Sequence, residues 1–287
     1  MTQRVLGVAL LLALAAEARA GQAAAPWPGH PIRVLLTGYS MIEGDWDRWK
    51  GVFDVIHFSL IGSDEAQVDG TLQAASERGM KVLVSANAVY DAARHQVDQR
   101  KVEGFVRGWG SHPGLYGFLL EATYTVPLED QRRVYDALKK AAPTLPLWTE
   151  FSSTDAKTWR TCLNQDACDV IATYNYPCET SDSPDSDCSA RVRYSTEAYR
   201  RVMRRKIPLV PLLQSFQGEQ YRSPRPGELI LQWFTWEREL GDAVIGAGFY
   251  RWRDNPHYKG IGGDVLPAYV WGEVQTLCRF LAGPRRH

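Results

Sequence analysis

Carboxylates at the ends of apolar runs are the residues of this sequence best suited to chemistry. The clearest lies in His112–Tyr124, HPGLYGFLLEATY, where the apolar run Tyr116–Leu120 leads straight into Glu121. A carboxylate ending an otherwise apolar strand is costly unless it meets partners or solvent. In parallel α/β folds the carboxyl ends of strands are also where ligands collect. Glu150 follows Leu147–Thr149 in the same way, and Asp254 lies just past the run Ala243–Phe249. Cleaving a glycosidic bond needs two carboxyl groups, one protonated to assist the leaving group and one ionised. Glu121 is therefore expected to act as general acid, with Glu150 as its preferred partner and Asp254 in reserve. Neighbouring strands lie ~4.8 Å apart, so two inward-pointing acids would suit the ~5 Å of a retaining enzyme. Strand parity leaves this open: an inward Glu150 requires an inward Trp148 and an outward Thr149, and the opposite choice is nearly as good.

The other strand ends supply amides and aromatics. Tyr39, Asn87, Tyr124, Tyr174, Asn175, Gln214, Tyr250 and Trp252 are the expected substrate contacts, with Trp252 as stacking platform. Amides read sugar hydroxyls, and flat aromatic faces suit the apolar side of a sugar ring. Ten tryptophans and thirteen tyrosines are many for this length, although core packing uses most such residues. His57 lies inside an apolar run and reads more readily as a core histidine than as a catalyst. His112 and His257 sit in proline turns and offer no triad geometry.

The elements that must position these residues repeat one unit: apolar run, polar loop, helical pattern. The runs are Ile32–Thr37, Asp54–Leu60, Lys81–Ser85, Tyr116–Leu120, Leu147–Phe151, Asp169–Tyr174, Pro208–Leu213 and Ala243–Phe249. Helices are expected after Asp69-Gly70-Thr71, Asp98, Pro127, Thr196 and Pro226, over Leu266–Leu281, and more briefly at Trp46–Gly51 and Asp155–Leu163. Continuous apolar strands alternating with helices mean a parallel sheet covered on both faces. Eight such units without a large insertion predict a single α/β domain, a (β/α)8 TIM barrel, over residues 31–283. A doubly wound open sheet is the runner-up, but its glycine-rich phosphate turn is absent.

Residues 1–20 read as a signal peptide: Arg4, then twelve apolar residues Val5–Ala16, then Ala18-Arg19-Ala20 before Gly21. Twelve apolar residues are too few to span a bilayer. Residues 21–30 form a Pro-rich lead. The expected product is secreted or periplasmic, and monomeric. Losing Arg4, Arg19 and Glu17 leaves 31 basic and 32 acidic side chains from 33 of each, a formal charge of −1. Such a near-neutral surface argues against nucleic acid or an anionic membrane as partner and leaves carbohydrate as the expected ligand. Export permits disulfides. Local pairing would join Cys162 to Cys168 and Cys178 to Cys188 and leave Cys278 free, one of three ways to pair the first four. Close CxxC pairs are absent and histidines are scattered, so neither a metal nor a cofactor is expected.

The stretch HPGLYGFLLEATYTVPLED resembles the fourth-strand segment of secreted (β/α)8-barrel glycoside hydrolase-like proteins, which typically reads HPALLGWYLADEP. The stretch PLVPLLQSFQGEQYRSPRPGELILQWFTWERELGDAVIGAGFYRW resembles their last two units. The resemblance implies an acidic role for Glu121 and pocket roles for Gln214, Phe216 and Trp252. Two departures matter: the Asp-Glu-Pro triplet is missing after Leu120, and the seventh strand ends in Gln214 where the best-known retaining barrels carry a nucleophilic glutamate. Either Glu121 works with Glu150 or Asp254 in a glycoside hydrolase, or the barrel is catalytically inactive and binds glycan or scaffolds other proteins.

Overall fold

A computed structural model describes residues 30–36, 45–121, 126–152, 167–182, 187–202 and 207–283. The expected signal peptide and most of the Pro-rich lead lie outside them, as do Tyr39, Tyr124, Cys162 and the short helix expected at Asp155–Leu163. Eight parallel strands close into a barrel: β1 (Ile32–Leu36), β2 (Val55–Phe58), β3 (Lys81–Ser85), β4 (Leu115–Glu121), β5 (Leu147–Ser152), β6 (Val170–Tyr174), β7 (Leu209–Gln214) and β8 (Gly246–Tyr250). Each pairs with its sequence neighbours, and β8 returns to β1 through Ile32 opposite Gly246 and Leu36 opposite Tyr250. The chain is thus a (β/α)8 TIM barrel.

Helices α1 (Asp45–Trp49), α2 (Glu65–Glu77), α3 (Gln99–Trp109), α4 (Leu128–Ala141), α5 (Ser189–Val202), α6 (Glu228–Leu240) and α7 (Ala268–Leu281) are the helices among the described residues. Several start where the sequence says they should. Asp98 caps α3 by accepting from the Arg100 and Lys101 amides. Two begin earlier than expected. α2 is capped by Asp64, which accepts from Gln67 N, and runs through Gly70, because a real cap offsets the modest cost of one helical glycine. α5 begins at Ser189, and Thr196 lies inside it with its hydroxyl bonded back to Arg193 O. Leu229, Trp233 and Trp236 of α6, at helical spacing, are buried against the barrel wall.

The barrel has two apolar layers because its strands are buried on both faces. Val34, Leu36, Val55, Leu83, Leu119, Trp148, Ala172, Val210 and Leu212 belong to an interior cluster, while Ile56, Val82, Val84, Phe118 and Phe151 pack outward with the helices. At the amino end, Arg33 of β1 forms a buried pair with Asp54, Nη2 to Oδ1 at 2.5 Å and Nε to Oδ2 at 2.9 Å, and donates to Gly51 O. Cys178 and Cys188 are joined by a disulfide, and Cys278 is free and buried. No helix among the described residues is long and apolar enough to cross a membrane.

Candidate active site

Parity decides the question the sequence left open. Leu119 and Trp148 belong to the interior cluster, so Glu121 and Glu150, two residues further along their strands, project into the barrel mouth. They stand directly opposite each other in the β4–β5 register. The floor beneath them is apolar, with Leu119, Trp148 and Ala172 in the interior cluster. Glu150 keeps some surface toward the mouth, but protein crowds its carboxyl. Burial, reinforced by the facing Glu121 carboxylate, pushes its pKa up to about 8. Burial also raises Glu121, whose side chain stays 34% exposed. Glu150 is therefore the carboxyl that keeps its proton near neutrality.

Two neighbours shape Glu121. Asn87, in the 3-10 turn Ala86–Val89 that follows β3, grips its backbone at both ends. Glu121 N donates to Asn87 Oδ1 (2.8 Å), and Asn87 Nδ2 donates to Glu121 O (3.0 Å). Asn87 is thus engaged in holding the end of β4. His57 of β2 alternates inward with Val55 and brings Nε2 to 3.9 Å from Glu121 Oε1. Burial pulls its pKa down to about 4, so the imidazole is neutral through the physiological range. Sequence reasoning placed His57 in the core. The signal that could have found it is its position two residues past Val55 near the carboxyl end of a strand.

An aromatic wall rises on the β6–β8 side. Tyr176 is stacked between Tyr174 (5.2 Å, 21°) and Tyr250 (5.8 Å, 16°). Phe216 meets it edge-on at 4.7 Å and also touches Tyr221 and Tyr258. Burial, with the nearby Glu150 carboxyl contributing, holds the Tyr176 and Tyr250 phenols above their ordinary range, so both remain protonated. Tyr221 and Tyr258, which sequence reasoning missed, come from loops that fold back over the strand ends, with no local pattern to announce them.

Several expected residues are placed elsewhere. Trp252 is fully buried, edge-on to Trp49 (5.5 Å) and Trp271 (5.2 Å), with the Arg48 guanidinium 4.6 Å from its ring centre. A Cβ at Gly262 would come within 2.4 Å of that ring. Packing on this scale covers both faces and corrects the expectation of a stacking platform. Gln214 is buried too. Its Oε1 accepts from Cys178 N (2.8 Å), and its Nε2 donates to Arg222 O (2.8 Å) and Cys178 O (3.2 Å), so the amide tethers the disulfide loop instead of facing a ligand. Asn175 Nδ2 donates to Arg191 O and Ser195 Oγ, which ties β6 to α5. Asp254 is exposed; it accepts from Gly260 N (2.8 Å) and lies 3.6 Å from Lys259 Nζ, which makes it a turn builder. The expected residues brought together at the mouth are therefore Glu121, Glu150, Tyr174 and Tyr250, with Asn87 behind Glu121.

No protein-family model and no curated protein sequence matches the chain. Its fold is shared with solved carbohydrate-active enzymes. The β-galactosidase from Rahnella sp. R3 superposes with TM-score 0.62 at 14% identity, over 91% of this chain and 57% of that one. The exo-β-1,4-mannosidase from Opitutaceae bacterium strain TAV5 gives TM-score 0.55 at 14% identity, over 89% of this chain and 57% of its own. A xylanase from Thermobacillus composti gives TM-score 0.53 at 14% identity, over 77% and 84%. The chain thus spans little more than half the length of the first two. At these identities the likeness is one of fold, and that fold is the TIM barrel.

Proposed function

We propose that this protein is an exported glycoside hydrolase that cleaves a glycan by carboxylate acid/base catalysis, with Glu150 and Glu121 as the reacting pair. The observation that carries the reading is the placement of two glutamates face to face at the carboxyl mouth of the barrel, over an apolar floor, with one held protonated near neutrality. The roles are the reverse of those expected from sequence. Glu150, the more deeply enclosed, donates its proton to the glycosidic oxygen as the leaving group departs. Glu121, closer to solvent and beside neutral His57, is the ionised partner and attacks the anomeric carbon. Water then hydrolyses the glycosyl ester, with Glu150 taking the proton back. Adjacent strands favour this double displacement, because inverting enzymes keep their carboxyls ~6.5–9.5 Å apart. Asn87 supports the geometry by fixing the backbone that presents Glu121. Half-buried Tyr174, Tyr176 and Tyr250 offer phenol hydroxyls and ring edges to the sugar.

The test is hydrolysis of a panel of aryl glycosides and oligosaccharides by wild type, Glu150→Gln and Glu121→Gln. A positioned acid typically contributes ~10²–10⁴-fold. Glu150→Gln is expected to lose that factor on substrates with poor leaving groups and much less on activated aryl glycosides, which need little protonation. Glu121→Gln is expected to lose turnover on both. Unchanged turnover in both variants would falsify the assignment. Binding of glycan without turnover by wild type would instead identify an inactive, glycan-binding barrel.

A further inference from the structure

Arg251 is the buried cation of the mouth that the proposed mechanism does not use. It is only 4% exposed. Its Nε donates to Arg253 O (2.5 Å) and its Nη1 to the Tyr250 hydroxyl (3.2 Å). Among the described residues no carboxylate lies within ion-pair reach of it. The other arginines drawn into this fold are treated differently: Arg33 pairs with Asp54, Arg222 with Glu228 through both nitrogens, and Arg253 with Asp45. A guanidinium taken out of water without an anion is poorly compensated by neutral acceptors, and its planar fork is suited to receive a carboxylate or other oxyanion.

Its position identifies the site it serves. The guanidinium carbon lies 5.5 Å from the centre of the Tyr250 ring and 6.0 Å from that of Tyr258. Tyr250 stacks on Tyr176, and both phenols feel the Glu150 carboxyl. Arg251 therefore sits beside the Tyr250 and Tyr258 rings of the aromatic wall, one residue past the end of β8. The rest of the mouth works against anions, because the ionised Glu121 carboxylate repels them. A positive charge at this place suits a substrate that itself brings a negative one.

We propose that Arg251 reads an anionic substituent on the sugar, most simply the planar carboxylate of a uronic acid, which matches the guanidinium fork. The inference deepens the glycosidase reading and rests on it for the place of the bond cleaved, though anion recognition by Arg251 can be measured without turnover. The sugar stacks against the tyrosine wall, its anionic group turned toward Arg251 and its anomeric carbon toward the glutamates.

The experiment compares matched aryl glycosides that differ only at C6: hexoside, hexuronide and 6-sulfo-hexoside. Wild type is expected to favour one of the two anionic forms over the neutral one, and which of them leads tells carboxylate from sulfate. Arg251→Gln should reduce kcat/KM on that anionic substrate by about 10–100-fold more than on the neutral one, the range for a hydrogen bond to a charged group. Arg251→Lys, which keeps the charge but loses the fork, should fall between. Neutral substrate preferred by wild type, or an equal loss on all three in both variants, overturns the proposal. If wild type turns over none of them, titration calorimetry with free hexose and free hexuronate decides. Hexuronate binding that Arg251→Gln abolishes keeps the anion site while the catalytic reading fails, whereas no preference for hexuronate sinks the anion site as well.

Discussion

Replacing Glu150 with glutamine should stabilise this protein, increasingly so as pH rises. The carboxyl titrates near 4.3 in an unfolded chain and at about 8 in the fold. Below pH ~4 it is protonated in both states and contributes nothing to pH dependence. Between pH ~4 and 8 the unfolded chain ionises it while the fold keeps the proton, so stability falls by ~1.4 kcal/mol per pH unit. The loss is complete once pH passes the folded value. Glutamine has the same shape and no proton to lose. Its advantage over wild type should be ~1 kcal/mol at pH 5 and ~3–4 kcal/mol at pH 7, levelling off at about 5 kcal/mol above pH 8. His57 runs the other way, since its folded value of about 4 lies below the unfolded ~6.5 and stability rises with pH across that window. Both proteins share that contribution, and it cancels in the difference. At ~2–4 °C per kcal/mol for a chain of this size, the melting temperatures should separate by roughly 6–15 °C at pH 7. Paired thermal and urea unfolding from pH 5 to 9 measures the gap. A gap that stays flat with pH, or narrows, would refute the claim that burial holds this proton.

Three further outcomes are expected. The pH profile of kcat/KM should have its alkaline limb at about pH 8, where Glu150 loses its proton, and its acid limb above the ordinary carboxylate value, where half-buried Glu121 gains one; Glu150→Gln should remove the alkaline limb. Asn87→Ala should lower kcat at least ~10-fold, because ~1 Å of misplacement can cost ~10²-fold, while moving the melting temperature by only a few degrees; steady-state kinetics beside calorimetry separates the two effects. Asp54→Ala should cost ~3–5 kcal/mol by leaving Arg33 buried without its anion, and urea unfolding of a matched Arg33→Met/Asp54→Leu double variant should recover most of it.

The architecture was legible because a parallel strand buried on both faces is written as a nearly continuous apolar run, and Val82–Val84 or Tyr116–Leu120 can hardly be read otherwise. Glu121 was legible for the converse reason, as a charge set directly at the end of such a run. Glu150 was legible as its partner but its direction was not, because the same double burial hides parity: Trp148 faces into the barrel and Thr149 away from it, yet both are 1% exposed. Trp252 misled because composition at a strand end says nothing of what the chain does next. Trp49 from the start of the barrel, with Gly262 and Trp271 from the segment that follows, closes over it. Arg251 was missed for a related reason: an arginine after a strand is ordinary, and only the fold shows that no carboxylate among the described residues comes to meet it.

Gln214 explains why the proposed pair spans β4 and β5, and Gln214→Glu tests that explanation. β7 ends where a second catalytic acid would stand opposite β4, but here the position is spent on holding the loop closed by Cys178 and Cys188. The amide satisfies three backbone groups at once: it accepts from Cys178 N and donates to the Cys178 and Arg222 carbonyls. A glutamate would keep the first bond and turn its other oxygen toward two carbonyl oxygens. Two donors would be lost and lone pairs would face lone pairs in a site with no exposure to water. At ~1–3 kcal/mol for each buried acceptor left unmet, the variant should lose ~2–5 kcal/mol of stability. The carboxyl would relieve part of this by staying protonated, which restores one donor and makes it useless as a nucleophile. Gln214→Glu should therefore be less stable and no more active than wild type, with the Tyr176 and Tyr221 wall loosened as the Cys178 loop shifts. Urea unfolding and turnover on the best substrate measure both. A variant as stable as wild type and more active would show that the β7 position is free for catalysis, and the argument for the β4–β5 pair would lose its structural reason.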